Sequence, residues 1–205
     1  MPKALFPLVV VAAVAGVAIA LSQAVTPTSQ PDIQATPVAE RATIKVATDD
    51  SLSHPPVRQD FSNGPYQLVI TAEDRWETPL ANSTLYQGDS ILWEQDLPHQ
   101  YGPRFVLVGE QGQVLLLDEF INVASPHAVT LIAPDGEIIQ QSSFDDIQKT
   151  LRLRPADLTR QATSGWWISA APELSSDGKS VFIKTGGTTL KVNMNTGELR
   201  RHADL

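Results

Sequence analysis

The chain has 205 residues, with 15 Lys and Arg against 23 Asp and Glu, for a net charge of −8. That length holds one domain with a real core, and an acidic chain without a basic cluster argues against nucleic-acid binding. Cysteine is absent, which removes disulfides, thiolate metal sites, a cysteine nucleophile and a lipid anchor on cysteine.

Ala4 to Leu21 is almost wholly apolar, broken only by Pro7 and Gly16 and preceded by Lys3. A helix over 4–21 reaches about 27 Å, close to the hydrocarbon thickness of a bilayer. Two readings stay open for residues 1–24. As a signal peptide, the run is cut after Ser22-Gln23-Ala24, where small residues flank the recognition positions. As a signal anchor, 4–21 stays in the membrane and Lys3 holds the N-terminus in the cytoplasm. Both place the remainder outside the cytoplasm, periplasmic or secreted. Residues 22–40 (SQAVTPTSQPDIQATPVAE) are rich in Pro, Ser, Thr and Gln. They lack periodicity, so 25–65 reads as a flexible linker. ATIKV at 42–46 has strand chemistry, but 48–65 returns to loop chemistry.

From Tyr66 the chain alternates short β-type runs with glycine turns. The runs include YQLVITA (66–72), SILWEQ (90–95), RFVLVG (104–109), QVLLLDEF (113–120), AVTLIA (128–133), WWISA (166–170), SVFIKT (180–185) and TLKVNM (189–194). Gln87-Gly88, Gln111-Gly112, Asp135-Gly136, Asp177-Gly178 and Thr196-Gly197 break them. Glycine supplies the positive φ of a tight hairpin or its bulge. Residues 66–205 are therefore expected to be an all-β domain.

The breaks recur in order. Gln111–Leu117 matches Asp177–Ile183 in pattern, and Leu131–Ile138 matches Val192–Leu199, with a partial copy at Leu85–Ile91. Each full unit predicts a four-stranded antiparallel meander. Through LYQGDSILW (85–93), SSDGKSVFI (175–183) and VNMNTGEL (192–199) the chain resembles β-propeller blades of the quinoprotein and WD-like kind. The resemblance implies two to three blades, hence an open or partial propeller, since a closed ring takes about 4–8. A helical insert is expected over 143–164. Ser143 and Asp146 have capping-box spacing, Pro155 suits a helix start, and Gly165 a stop. Covering a sheet edge is its expected role.

The densest polar stretch is 94–104, EQDLPHQYGPR, with His99, Tyr101 and Arg104. The resemblance places ligands at such linkers between blades. Asp118 and Glu119 close the run before 120 and would join them. Against this stands a rigid loop, shaped by Pro98, Gly102 and Pro103, whose polar groups satisfy one another. No HxH, HxxxH or HExxH spacing supports a metal site, and no G-x-S-x-G or G-x-G-x-x-G supports catalysis or a phosphate-binding cofactor. No catalytic residue, metal or cofactor is therefore assigned. Trp166-Trp167 on a strand would send one ring inward and offer the other to a partner. Two functions follow. One is a non-enzymatic extracytoplasmic interaction or scaffold protein, with another extracytoplasmic protein or a second copy of itself as partner. The other is a small-molecule or glycan binder, or hydrolase, built on His99, Tyr101, Arg104, Asp118 and Glu119.

Overall fold

The computed structural model describes residues 55–202. The apolar segment 4–21, the tail 22–40 and the strand chemistry at 42–46 lie outside them. Among the described residues no helix is long and apolar enough to cross a membrane.

Three antiparallel four-stranded sheets follow one another along the chain. The first is β1 (Arg58–Asn63), β2 (Tyr66–Thr71), β3 (Ala81–Gln87) and β4 (Ser90–Leu97). The second is β5 (Pro103–Val108), β6 (Val114–Glu119), β7 (Val129–Ile132) and β8 (Ile138–Ser142). The third is β9 (Glu173–Leu174), β10 (Ser180–Thr185), β11 (Thr188–Asn193) and β12 (Leu199–His202). In each sheet spatial order equals chain order, so every strand pairs with its sequence neighbour. The all-β meander expectation holds, and the sheets are open.

The second sheet is the middle layer. All six residues of β6 are buried. Val114 and Leu116 enter one core with Leu68, Ile70, Leu85 and Trp93 of the first sheet. Leu115 and Leu117 enter another with Val181, Ile183, Leu190 and Val192 of the third. Successive strand residues point to opposite faces. A strand buried on both faces therefore loses its polar alternation and reads as an apolar run.

Between the second and third sheets lie α1 (Phe144–Leu151) and α2 (Pro155–Thr159). Ser143 Oγ accepts from the Asp146 N–H at 3.3 Å, and Asp146 Oδ2 accepts from the Ser143 N–H at 3.0 Å. This closes the capping box. Pro155 sits in the first turn of α2. The insert does more than cover an edge. α1 lies against β8 and β12, the outer strands of their sheets, and sends Phe144, Ile147 and Leu151 into the core.

Two segments differ from expectation. Arg58–Asn63 lies in the stretch read as linker, yet it pairs with β2 in full register. RQDFSN is a sheet edge whose inward face holds Gln59, Phe61 and Asn63, with Phe61 the apolar one among them, so burial leaves no apolar pattern to read. WWISA forms no strand. The N–H groups of Thr163 and Ser164 both reach the Ile168 carbonyl, at 3.0 and 3.1 Å, closing a local loop in place of a ladder.

Candidate functional site

The polar candidates gather at one end of the second sheet, where β5 begins, β6 ends and β7 begins. Asp118 and Glu119 are consecutive, and each anchors a different loop. Asp118 is fully buried and sits at φ +58°. Its Oδ2 accepts from the Trp166 N–H at 2.7 Å, and its Oδ1 from the Glu119 N–H at 3.1 Å. The carboxylate thus ties the loop after α2 to the end of β6. Gly165 makes this approach possible. A Cβ there would stand 2.5 Å from Asp118 Oδ2, and its φ is +100°.

Glu119 turns to the other side. Its Oε1 accepts from Ser125 Oγ at 2.9 Å, and its Oε2 accepts from the Gln100 N–H. Ser125 Oγ in turn accepts from the His127 N–H at 2.8 Å. His99, 1% exposed, places Nε2 at 2.9 Å from the His127 carbonyl. A carbonyl only accepts, so that nitrogen carries the proton. The two imidazoles pack at 5.7 Å between centroids. Glu119 therefore staples the loop before β5 to the loop between β6 and β7.

Arg104 on β5 lays its guanidinium over the Phe120 ring at 4.9 Å. It donates to the Phe120 carbonyl, and to Asn122 Oδ1 at 3.2 Å. Tyr101, at φ +58°, packs on Trp76 at 5.8 Å, and its N–H reaches the Pro79 carbonyl at 2.8 Å. Trp167 is fully buried in the core between the second and third sheets. Trp166 is half-buried against the same core, so neither ring is fully presented outward. The structure joins His99, Arg104, Asp118, Glu119 and the Trp166 backbone at one sheet end. Tyr101 belongs to the aromatic pair beside the first sheet, and Trp167 to the core. Ser125, His127 and Gly165 complete the arrangement. Ser125 and Gly165 carry no sequence signal of a site, because their roles depend on loops distant in sequence. His127 stands out in the sequence only beside His99, Asp118 and Glu119, as a carboxylate–imidazole set without metal-ligand spacing.

Burial dominates the electrostatics. It pushes the Asp118 carboxyl up to about 6 from 3.8, against the Trp166 and Glu119 N–H groups and Arg104, which favour the anion. Burial also raises Glu119, against its bonds from Ser125 and Gln100. Burial takes the His99 imidazole down to about 4 from 6.5. The stability contributions of Asp118 and His99 oppose one another. That of Asp118 is complete below pH 3.8 and is lost as pH rises through about 6. That of His99 is complete above pH 6.5 and is lost as pH falls through about 4. Asp118→Asn removes the first and leaves the second. The urea midpoint of that variant is expected to fall more steeply than the wild type's between pH 6.5 and 4. Parallel midpoints for the two proteins across that window would contradict a raised Asp118 carboxyl, and a midpoint of the variant that does not fall there would contradict a buried neutral His99.

Open clefts lie elsewhere. One of about 220 Å³ is lined by Glu73, Asp74, Thr78, Asn82 and Asp96. Another of about 440 Å³ is lined by Gln161, Ser169, Lys184, Thr185 and Thr188. Among the described residues no group of three His, Cys, Asp or Glu is placed to hold a metal ion. No protein-family model and no curated protein matches the sequence, so the reading of this protein rests on its own residues.

Proposed function

We propose that this is an extracytoplasmic, non-enzymatic interaction or scaffold protein, whose three meanders serve as consecutive blades of an open, partial propeller. The observation that carries the reading is how the polar candidates are used. His99, Asp118 and Glu119 are 1%, 0% and 4% exposed. Their bonds go to backbone N–H and C=O groups and to Ser125. Such groups hold loops in place and are not free for substrate. A middle sheet with a core on each face also suits blades stacked in sequence. The apolar segment 4–21 supports export, by cleavage or as an anchor. The glycan or small-molecule reading draws less support, since it needs those side chains in an open concavity.

The test is purification of the C-terminally tagged full chain from a detergent extract, with intact-mass analysis and turnover assays. A stoichiometric extracytoplasmic partner, with no turnover, is the expected result. A defined turnover lost in folded Glu119→Gln or Asp118→Asn protein would overturn the proposal. The mass reports whether residues 1–24 remain.

A further inference from the structure

The two end sheets present outward faces of opposite charge. In the first sheet the register aligns Asp60 with Val69, Val69 with Thr84 and Thr84 with Glu94. The next outward row holds Arg58, Thr71, Asn82 and Asp96, and a third ends in Tyr86 and Ile91. Leu68, Leu85 and Trp93 point the other way, into the core. The outward face thus carries Asp60, Glu94 and Asp96, and its one cation, Arg58, is already paired with Asp60 at 2.9 Å. The acidic cleft of Glu73, Asp74 and Asp96 borders it.

The third sheet is the reverse. Val181, Ile183, Leu190 and Val192 point inward, so the outward rows are Glu173, Phe182, Lys191 and Arg200, then Lys184, Thr189 and His202. Three cations stand there against Glu173, and against Glu198, which pairs with Arg200 at 2.8 Å. This is a basic face on a protein whose net charge is −8. Each face also carries apolar side chains, at a corner of the first sheet and on a central strand of the third. Ile91 is 57% exposed beside Tyr86 on the first. On the third, Phe182 lies 4.9 Å from the His202 ring and 5.8 Å from Lys191 Nζ.

We infer that the outward face of the first sheet docks on the outward face of the third sheet in a second copy of the chain. The observation is charge complementarity: an acidic sheet face and a basic sheet face, each with an apolar side chain on it, both borne by every chain. The second sheet lies between them, so they cannot meet within one chain. The contact joins two different surfaces and is head-to-tail. In a two-copy ring both contacts form, and the sheet number falls within the about 4–8 of a closed propeller. The inference deepens the interaction reading and rests on it for the kind of activity. It adds the partner and the surfaces.

Charge reversal tests it on the full chain in detergent, by sedimentation velocity. The wild type is expected to be dimeric. Glu94→Lys with Asp96→Lys makes both end faces basic, and Lys184→Glu with Lys191→Glu makes both acidic. Each pair sits on exposed or half-exposed positions, and retained circular dichroism confirms folding. Each variant alone is expected to dissociate, with affinity at least about tenfold weaker. An equimolar mixture is expected to form dimers again, because each chain then meets the opposite charge at both contacts. A self-complementary interface of like faces would let only one variant dissociate, and that outcome overturns the inference. So does a wild type that stays monomeric at every concentration, or a monomer whose basic face instead binds vesicles of anionic lipid. A monomer that still captures a different extracytoplasmic protein sinks the dimer and leaves the interaction reading standing.

Discussion

Replacing Trp167 with alanine is expected to destabilise the folded chain by about 3–5 kcal/mol, the range for removing a fully buried large aromatic. Trp167 has no exposed surface and sits among Leu117, Val129, Ile183 and the helix residues Ile147 and Leu158. That core draws residues from the second sheet, the third sheet and both helices, so removal of its largest side chain leaves a void bordered by several elements. Trp166→Ala, one position away, is expected to cost less than half as much. Its ring is only half-buried, and the bond to Asp118 is made by its backbone N–H. Urea midpoints of the two variants measure the contrast. Equal losses would place the two rings in equivalent surroundings and contradict the burial described here.

Gly165→Ala is expected to cost about 2–5 kcal/mol, combining a left-handed backbone in an L residue with overpacking. The contact is specific. The new methyl would meet Asp118 Oδ2 at 2.5 Å, the atom that accepts from the Trp166 N–H. A double-mutant cycle separates the two causes. In an Asp118→Ala background the methyl has no carboxylate to displace, so the added cost of Gly165→Ala should fall to its backbone part. If the two losses simply add, the clash is not what Gly165 avoids.

Strands that alternate across a buried face, and glycines that turn hairpins, could be read along the chain, as with TLKVNM and Asp177-Gly178. So could the Ser143 capping box, since all its parts lie within one turn. β1 was not legible because an edge strand buries little and its pairing is made by backbone groups that any sequence carries. WWISA at 166–170 reads as strand, because Trp, Trp and Ile are strand formers whatever their backbone does, but it forms none. What bends it is a carboxylate far back in the sequence at Asp118. The site shows the same division. His99, Arg104 and the Asp118-Glu119 pair stood out as polar groups beside apolar runs. That Glu119 staples two loops and Asp118 a third depends on which strand ends lie side by side, which no local pattern states.

The agreement of spatial with chain order also sets a timetable. Each sheet can form once its own hairpins have been made, without waiting for distant segments, which favours rapid formation of each meander. Completion is another matter. The apolar side of the first sheet has no cover until the second exists. The second, with Leu115, Leu117, Val129 and Leu131 aimed at the third, stays half-uncovered until the last stretch of chain arrives. For a polypeptide that appears N-terminus first, the interval before β10 and β11 emerge is the one in which sticky surface is most open. Truncations ending between β8 and β10 should be the ones most prone to aggregate.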